Sequence, residues 1–346
     1  MKRIIIFSLA ASLINLAGLS QSFDKEKLDA FFDTLANNDR FMGSVAVSRN
    51  NELIYAKSVG FADLENGLKA NENSKYRIGS ITKTFTAVLV FKAVEDNLLN
   101  LNQTIYEFFP SLTNAEKITI EHLLYHRSGI HNFTNDKSYL SWNTQPKTEQ
   151  EMVEIITSGG SDFEPDAKAS YSNSNFVLLT FILEKIYKKP YSELLEEKII
   201  KPTGLKNTYY GKKINTKDNE CNSYRYAEGW KISTETDMSI PLGAGGIVST
   251  PVDLTVFSEA LFNGKMLSIN SLQQMKTIKG HLGMGLIQIP FYGKLSFGHN
   301  GGIDGFGSLF GYFPDDNITF AFVANGINCK MNDVAIAILS AVYNKP

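Results

Sequence analysis

The sequence contains one stretch around which its other features are arranged, Arg77-Ile78-Gly79-Ser80-Ile81-Thr82-Lys83-Thr84-Phe85-Thr86-Ala87. An apolar helical pattern begins there, and because serine is a favourable N-cap residue, we expect a helix to start at or next to Ser80. Lys83 follows one turn later on the same face, so its amino group can reach the Ser80 hydroxyl. The helix dipole favours negative charge at the same place. A serine with a proton acceptor in reach is an activated nucleophile, so the stretch indicates nucleophilic catalysis.

The Ser-x-x-Lys spacing has a second occurrence, Ser22-Phe23-Asp24-Lys25, at the N-terminal edge of the chain. We interpret that copy as accidental. Taken alone, the motif favours a helix cap without catalytic function at Ser80. Other parts of the sequence must therefore decide between the two interpretations.

Composition limits the classes of protein that the chain can belong to. It has 346 residues, 43% of them hydrophobic, and a formal net charge of −2. This length and composition predict a packed core, either one large domain with an inserted lobe or two domains. Acidic and basic residues are interspersed, without the basic stripe of a nucleic-acid-binding protein, so we predict no nucleic-acid partner.

Residues 1–20 are typical of an export signal, with two basic residues followed by an apolar run from Ile4 to Ala17. Cleavage after Ser20 or after Ser22 would suit a signal peptidase. Leu19 stands where a bacterial lipoprotein would have cysteine, so we predict no lipid anchor. An uncleaved membrane anchor is the alternative, but the run is short for a span. We therefore expect a periplasmic or secreted protein without a stable membrane span.

Strand patterns occur at both ends of the chain, and helical patterns dominate the middle. The predicted strands are 43–48, 53–60, 283–289, 294–299, 307–313 and 318–324. The predicted helices are 24–37, 80–95, 120–129, 149–157, 175–187, 190–200, 251–262 and 333–343, with a loop after Gly211. The simplest fold consistent with this order is α+β, an antiparallel sheet flanked by helices with an inserted, mostly helical lobe. We predict one catalytic domain, 21–346, with a sheet lobe (21–100 and 240–346), a helical lobe (101–239) and Ser80 where they meet.

A second candidate element is Tyr171-Ser172-Asn173, the only Tyr-x-Asn in the chain. Residues i and i+2 of an extended segment point the same way, so the phenol and the amide could face one cleft. Beside a lysine ammonium, we expect the pKa of Tyr171 to fall, so that it could act as a general base. The Asn173 amide could orient a substrate carbonyl. The alternative is a buried tyrosine followed by an asparagine turn.

A third candidate element is Phe297-Gly298-His299-Asn300-Gly301-Gly302, which follows a predicted strand. Gly301 and Gly302 would let a substrate approach the strand edge closely. His299 could bind a substrate carboxylate or assist proton transfer. His281 has the same His-x-Gly form, but it lacks the strand context, and a structural histidine is the alternative for His299.

These three elements, in this order and spacing, resemble the serine β-lactamase-related family, which includes class C β-lactamases, D-Ala-D-Ala carboxypeptidases, esterases and D-aminopeptidases. The resemblance extends over residues 24–340, including the stretches 123–130 and 243–254. It implies that Ser80 forms an acyl-enzyme and that Lys83 and Tyr171 transfer protons. It also implies that the backbone N–H groups of Ser80 and Gly302 bind the oxyanion.

The chain departs from class C β-lactamases at His299, where those enzymes have lysine. A histidine binds a carboxylate as a cation only if its pKa is raised. The departure favours a penicillin-binding-protein-like D-Ala-D-Ala carboxypeptidase, with a class C-like β-lactamase or a small-ester esterase as alternatives. The expected substrate is a D-Ala peptide, a β-lactam or an ester.

Two other classes of protein compete with this interpretation. His122, His126 and His131 have ligand-like spacing, but the sequence contains no helical His-Glu-x-x-His, so we predict no metal and no cofactor. Cys221 and Cys329 are interpreted as ordinary small residues, and their spacing does not tell whether they pair. A non-catalytic penicillin-binding or sensor protein is the second rival, disfavoured because the serine, lysine, tyrosine and asparagine all occur together.

Overall fold

The computed structural model describes residues 23–346. Its helices are α1 (Lys25–Asn37), α2 (Thr82–Glu95), α3 (Ile120–Leu124), α4 (Tyr139–Trp142), α5 (Glu149–Gly159), α6 (Asn173–Tyr187), α7 (Tyr191–Leu195), α8 (Lys201–Thr203), α9 (Pro251–Phe262), α10 (Ile269–Lys276) and α11 (Met331–Tyr343). Its strands are β1 (Phe41–Arg49), β2 (Glu52–Val59), β3 (Phe61–Asp63), β4 (Leu68–Lys69), β5 (Tyr76–Arg77), β6 (Tyr209–Tyr210), β7 (Tyr224–Tyr226), β8 (Trp230–Ile232), β9 (Ile247–Ser249), β10 (Ile287–Phe291), β11 (Lys294–Ile303), β12 (Phe306–Phe313) and β13 (Ile318–Ile327).

The main sheet has the strand order β10-β11-β12-β13-β1-β2, with antiparallel neighbours throughout. Strand β1, near the start of the chain, pairs with β13, near its end. This pairing joins β1 and β2 to the last four strands in one sheet. A hairpin of β7 and β8 joins this sheet through one parallel pair, Tyr224 opposite Gly326. Short strands β5 and β6 flank β9 in a separate small sheet.

Helices cover both faces of the main sheet because its central strands are apolar on both sides. In β13, Phe320 and Phe322 belong to a core cluster shared with α1 and α11. The alternate residues Ala321 and Val323 belong to a second cluster, shared with α2, α6 and α9. This alternation follows from the two-residue period of a strand. Helix α2 is consequently buried between the sheet and the helical region, with nearly all its residues inaccessible.

The structure confirms the α+β fold, with an antiparallel sheet flanked by helices. Most predicted elements are present, but the helix expected at 120–129 ends at Leu124, the one expected at 190–200 is α only over Tyr191–Leu195, and the strand expected at 283–289 lies at Ile287–Phe291. The sequence did not predict helices α4 and α10, strands β3 to β6 and β9, or the β7–β8 hairpin. These unpredicted strands span only two or three residues each, too short for periodicity to be visible, and pairing contacts define them. The division into two lobes stays a prediction, and the predicted export signal lies outside the described residues.

The start of α2 also differs from the expectation. Ser80 lies in a short 3₁₀ turn, Gly79–Ile81, and α2 begins after it at Thr82. The Ser80 side chain makes no capping hydrogen bond, so the predicted N-cap is wrong. None of the helices in residues 23–346 combines the length and apolar character needed to cross a bilayer.

The packing of α2 on α9 gives a test of the core. Phe85 of α2 stacks on Phe257 of α9 with ring centroids 3.6 Å apart, and both side chains are fully buried. We expect Phe257→Ala to lower the free energy of unfolding by about 3–5 kcal/mol, because it leaves a cavity that the neighbours cannot fill. Ile269, which is 72% exposed, provides the control. Ile269→Ala should change stability by about 0.5 kcal/mol or less in chemical denaturation, and equal effects of the two variants would contradict this packing.

Candidate active site

The Ser80 hydroxyl is contacted by both side chains that the sequence associates with it. Lys83 Nζ lies 3.1 Å from Ser80 Oγ, and the Tyr171 hydroxyl donates a hydrogen bond to the same oxygen at 2.6 Å. Tyr171 immediately precedes the segment that enters α6, so α2 and α6 together assemble this cluster. An alcohol held between an amine and a phenol can lose and regain its proton without help from bulk water.

Lys83 is completely buried, which lowers the pKa of its amino group well below the ordinary value. Besides Ser80, its Nζ has two acceptors, Asn173 Oδ1 at 2.8 Å and the Ala244 carbonyl at 2.6 Å. A neutral amine has two N–H donors and one lone pair. The two acceptors can take both donors, which leaves the lone pair for the Ser80 proton. The site can therefore present Lys83 as a base.

Tyr171 does not have the lowered pKa that we expected from the sequence. Burial raises the pKa of its phenol, and the hydrogen bond to Ser80 offsets this only in part. The expectation assumed a nearby ammonium, whereas the same burial disfavours the charged form of Lys83. Tyr171 accordingly keeps its proton and is a donor to Ser80. Its ring stacks on His126, with centroids 4.4 Å apart.

Asn173 begins α6 and is fixed by three contacts. Its backbone N–H donates to Asn132 Oδ1 at 3.0 Å, and its Nδ2 donates to Thr134 Oγ1 at 3.0 Å. These contacts turn Oδ1 toward Lys83. The amide thus holds the lysine in place, and Asn173 also lines the adjacent cavity.

His299 is buried, and its environment makes it a neutral group. Burial lowers its pKa to about 4. Its Nδ1 lies 2.6 Å from the Asn300 carbonyl, which can only accept, so Nδ1 carries the proton and Nε2 is the free acceptor. His299 is therefore not a cation that would bind a substrate carboxylate at neutral pH. Its ring lies 6.4 Å from that of Tyr171.

Strand β11 passes directly against the turn that contains Ser80. A Cβ atom on Gly301 would lie 2.1 Å from the Ile78 carbonyl oxygen, and one on Gly79 would lie 2.7 Å from the Gly302 nitrogen. Gly79 also has a φ of +51°, a conformation that favours glycine. Strand β10 pairs with β11 only as far as Gly298, so this pairing leaves the edge next to Ser80 open. Backbone groups of residues 300–303 can therefore meet a substrate there.

A cavity of about 440 Å³ opens in front of Ser80. Asn173 and Gly302 line it near the serine, whereas Lys83, Tyr171 and His299 do not line it. The remaining wall combines apolar, polar and charged residues, namely Phe133, Thr134, Tyr139, Leu140, Asn143, Arg225, Lys231, Ile232, Ser233, Thr234, Thr236, Pro241, Ala244, Gly245, Ile303 and Asp304. The cavity can accommodate a small peptide or a similar acyl compound.

The other sequence candidates occupy separate places. His122 Nδ1 accepts the Thr119 N–H, His126 packs under Tyr171, and His131 lies between Asp136 and Asp162. In residues 23–346 no group of three or more His, Cys, Asp or Glu side chains could hold a metal ion. Both cysteines are free thiols.

Sequence reasoning missed two kinds of residue at this site. The Ala244 carbonyl binds Lys83, and the stretch 243–254 was noticed only as part of the resemblance. Arg225 and Lys231 line the cavity from a hairpin that lies in the segment after Gly211, where the sequence predicts a loop. A contact made by a backbone carbonyl cannot be predicted from the pattern of side chains. A hairpin with strands of three residues is too short to show a periodic pattern.

The two adjacent glycines of β11 provide a matched test of this geometry. We expect Gly301→Ala to destabilise the fold by about 3 kcal/mol, because the new methyl group would overlap the backbone of residue 78. A Cβ on Gly302 would meet only the Phe306 carbonyl oxygen, at 3.8 Å. Gly302→Ala should therefore change stability by less than about 1 kcal/mol in thermal unfolding. Equal stability of the two variants would contradict the close approach of β11 to Ser80.

The neutral state of His299 predicts a contribution to pH-dependent stability. Its pKa of about 4 in the folded protein is below its ordinary value of 6.5, so the unfolded chain binds a proton that the folded one does not. This contribution is fully present above pH 6.5 and is lost as the pH falls toward 4. We expect His299→Asn to flatten the fall in unfolding free energy across that range, measured by denaturant titration. Parallel pH profiles for the two proteins would contradict a buried neutral His299.

Comparisons with known proteins show the family to which the chain belongs. A family model described as Beta-lactamase matches residues 28–341. The teichoic acid D-alanine hydrolase of Staphylococcus aureus (strain MRSA252) is 26% identical over 307 residues, 85% of this chain and 72% of that protein. A Bacillus subtilis protein named as a penicillin-binding protein, PbpX, is 26% identical over 300 residues, 85% of this chain and 73% of that protein.

A solved structure extends the likeness to three dimensions. The D-amino acid amidase from Ochrobactrum anthropi SV3, complexed with L-phenylalanine amide, has a TM-score of 0.84 and 27% identity. The match covers 93% of this chain and 99% of the amidase. Because the family model spans most of the sequence, the chain belongs to the β-lactamase family and is a serine hydrolase.

Proposed function

We propose that this serine hydrolase is a penicillin-binding-protein-like D-Ala-D-Ala carboxypeptidase that forms an acyl-enzyme on Ser80. The observation that carries the proposal is the simultaneous contact of Ser80 Oγ with Lys83 Nζ at 3.1 Å and with the Tyr171 hydroxyl at 2.6 Å. Both neighbours are buried and uncharged in their favoured states. One can accept a proton while the other supplies one, which acyl transfer requires.

In acylation, Ser80 Oγ bonds to the substrate carbonyl carbon while its proton passes to Lys83. The Tyr171 hydroxyl gives its proton to the leaving nitrogen as the carbon–nitrogen bond breaks, and Lys83 returns a proton to Tyr171. Water attacks the ester by the reverse path and releases the acid. The backbone N–H groups of Ser80 and Gly302 bind the oxyanion in both steps, and the close approach of β11 to the Ser80 turn supports this pairing.

Two features favour a peptidase over a β-lactamase. His299 occupies the position where class C β-lactamases have a lysine, and here it is buried and neutral. One relative is named for D-alanine and another as a penicillin-binding protein. The D-amino acid amidase, matched over 99% of its length, supports hydrolysis of D-amino acid amides as the second candidate. The N-terminal pattern supports export to the periplasm or the medium as part of this proposal.

The first experiment compares the wild type with Ser80→Ala. Intact-mass spectrometry after exposure to a fluorescent penicillin should show one covalent adduct on the wild type and none on the variant. D-alanine release from an N-acylated peptide ending in D-Ala-D-Ala should depend on Ser80, with little nitrocefin turnover. Fast nitrocefin turnover would favour a β-lactamase, whereas cleavage of D-alaninamide alone would favour the amidase. Wild-type activity in Ser80→Ala would contradict the acyl-enzyme.

Variants of the two neighbours separate their roles. Lys83→Met should reduce the acylation rate by about 10²–10⁴-fold, because it removes the proton acceptor. Tyr171→Phe should reduce acylation and deacylation while keeping the ring that packs on His126. Stopped-flow measurement with the fluorescent penicillin resolves the two phases. Unchanged rates in both phases for Tyr171→Phe would remove Tyr171 from proton transfer.

A further inference from the structure

The far wall of the active-site cavity carries two cations on one small hairpin. Arg225 of β7 and Lys231 of β8 are directly opposite each other in the antiparallel register, so their side chains leave the hairpin on the same face. Both side chains are exposed and both residues line the cavity that contains Ser80.

Arg225 is held in place by the turn that follows β11. Its Nε and Nη2 donate to the backbone carbonyl of Asp304, at 3.3 Å and 3.1 Å. Asp304 is itself fixed, because its carboxylate accepts from Arg77 Nη1 at 3.0 Å and from the Thr236 hydroxyl at 2.6 Å. The guanidinium is thus anchored to the turn directly after the strand that supplies Gly302.

Neither cation is neutralised by the protein in the described residues. No carboxylate in residues 23–346 lies within 4.0 Å of the Arg225 guanidinium or of Lys231 Nζ. The carboxylate of Asp304, which also lines the cavity, is already paired with Arg77. Like charges directly opposite on two strands are destabilising, and a bound anion would remove that repulsion.

The two cations lie toward one end of the cleft. Along β11 the cavity is lined from Gly302 through Ile303 to Asp304, whereas His299, on the other side of Gly302, does not line it. In the proposed mechanism Tyr171 protonates the leaving nitrogen, and its ring lies 6.4 Å from that of His299, so the leaving group faces the His299 end. The Asp304 end, which carries Arg225, therefore faces the half of the substrate that becomes the acyl-enzyme.

We propose that Arg225 and Lys231 form a subsite for a carboxylate on the acyl-donor half of the substrate. The substrate class is a peptide with an acidic group before its terminal D-Ala-D-Ala. This inference rests on the proposed function, since it specifies which peptides that activity would favour. A D-amino acid amide or a D-alanyl ester with a free amino group would instead bring a cation into a cationic site.

The test uses pairs of substrates that differ only in acyl-side charge. N-succinyl and N-acetyl derivatives of D-Ala-D-Ala share the leaving group, as do the p-nitrophenyl esters of N-succinyl-D-alanine and N-acetyl-D-alanine. We expect the wild type to have a kcat/KM about fivefold higher for each succinyl compound, with the ratio falling toward one at high salt. In Arg225→Gln/Lys231→Gln the ratio should fall to about one. Because each ratio is taken on one preparation, partial unfolding cancels.

Lys206→Gln is the matched control, because Lys206 is an exposed lysine that does not line the cavity. It should keep the wild-type ratio. A wild-type ratio of one, or a ratio that survives the double substitution, would overturn the subsite. The double variant could instead keep the succinyl preference and lose the preference for a peptide with a free C-terminal carboxylate over the same peptide with a C-terminal amide. That result would overturn the placement of the subsite on the acyl side.

The esters separate this inference from the proposed function. Cleavage of both esters with the expected ratio, but of neither peptide, would refute the carboxypeptidase and leave the subsite standing. Cleavage of both peptides at equal rates would support the carboxypeptidase and refute the subsite.

Discussion

The site depends on one constraint, the burial of the Lys83 amine against the Ser80 hydroxyl. Removing an ammonium from water is costly, so burial shifts the lysine toward its neutral form. The amine remains acceptable inside the protein because Asn173 and the Ala244 carbonyl accept its two N–H donors. These partners come from α6 and from the 3₁₀ turn Leu242–Ala244. An unprotonated amine that can accept the Ser80 proton therefore exists only when three distant segments are assembled.

Buried hydrogen bonds hold those three segments together. Thr86 of α2 donates its hydroxyl to the Gly243 carbonyl at 2.7 Å, and the Gly243 N–H donates to the Thr180 hydroxyl of α6 at 2.9 Å. On the other side of the serine, the Ser308 hydroxyl donates to the Ile78 carbonyl at 2.8 Å. Ser80 is thus fixed between the helical region and the sheet. Such preorganisation lets the surrounding dipoles stabilise charge without rearranging during the reaction.

The charged residues around the cleft differ in whether another residue neutralises them. Arg77 is buried and paired with Glu235 and Asp304, so it contributes no free cation to the substrate. Burial disfavours the charged forms of His299 and Lys83. Arg225 and Lys231, at the open end, are the cavity-lining cations without an ion-pair partner among residues 23–346. The cleft thus has a buried interior, where the charged forms of the titratable groups are disfavoured, and a rim with two unpaired cations; under our proposals the first transfers protons and the second selects the substrate.

The sequence by itself determined the α+β architecture and the identity of the residues around Ser80. Ser80, Lys83, Tyr171 and Asn173 were predicted from short motifs, because such motifs record which side chains the chemistry requires. Only the tertiary structure decided their protonation. The pKa of Tyr171 moves up rather than down, and that of His299 falls to about 4, because burial by distant segments outweighs the hydrogen bonds that these groups make to Ser80 and to the Asn300 carbonyl. The tertiary structure likewise decided the position of Arg225, since a three-residue strand has no periodic signal and is defined by the partners that it meets.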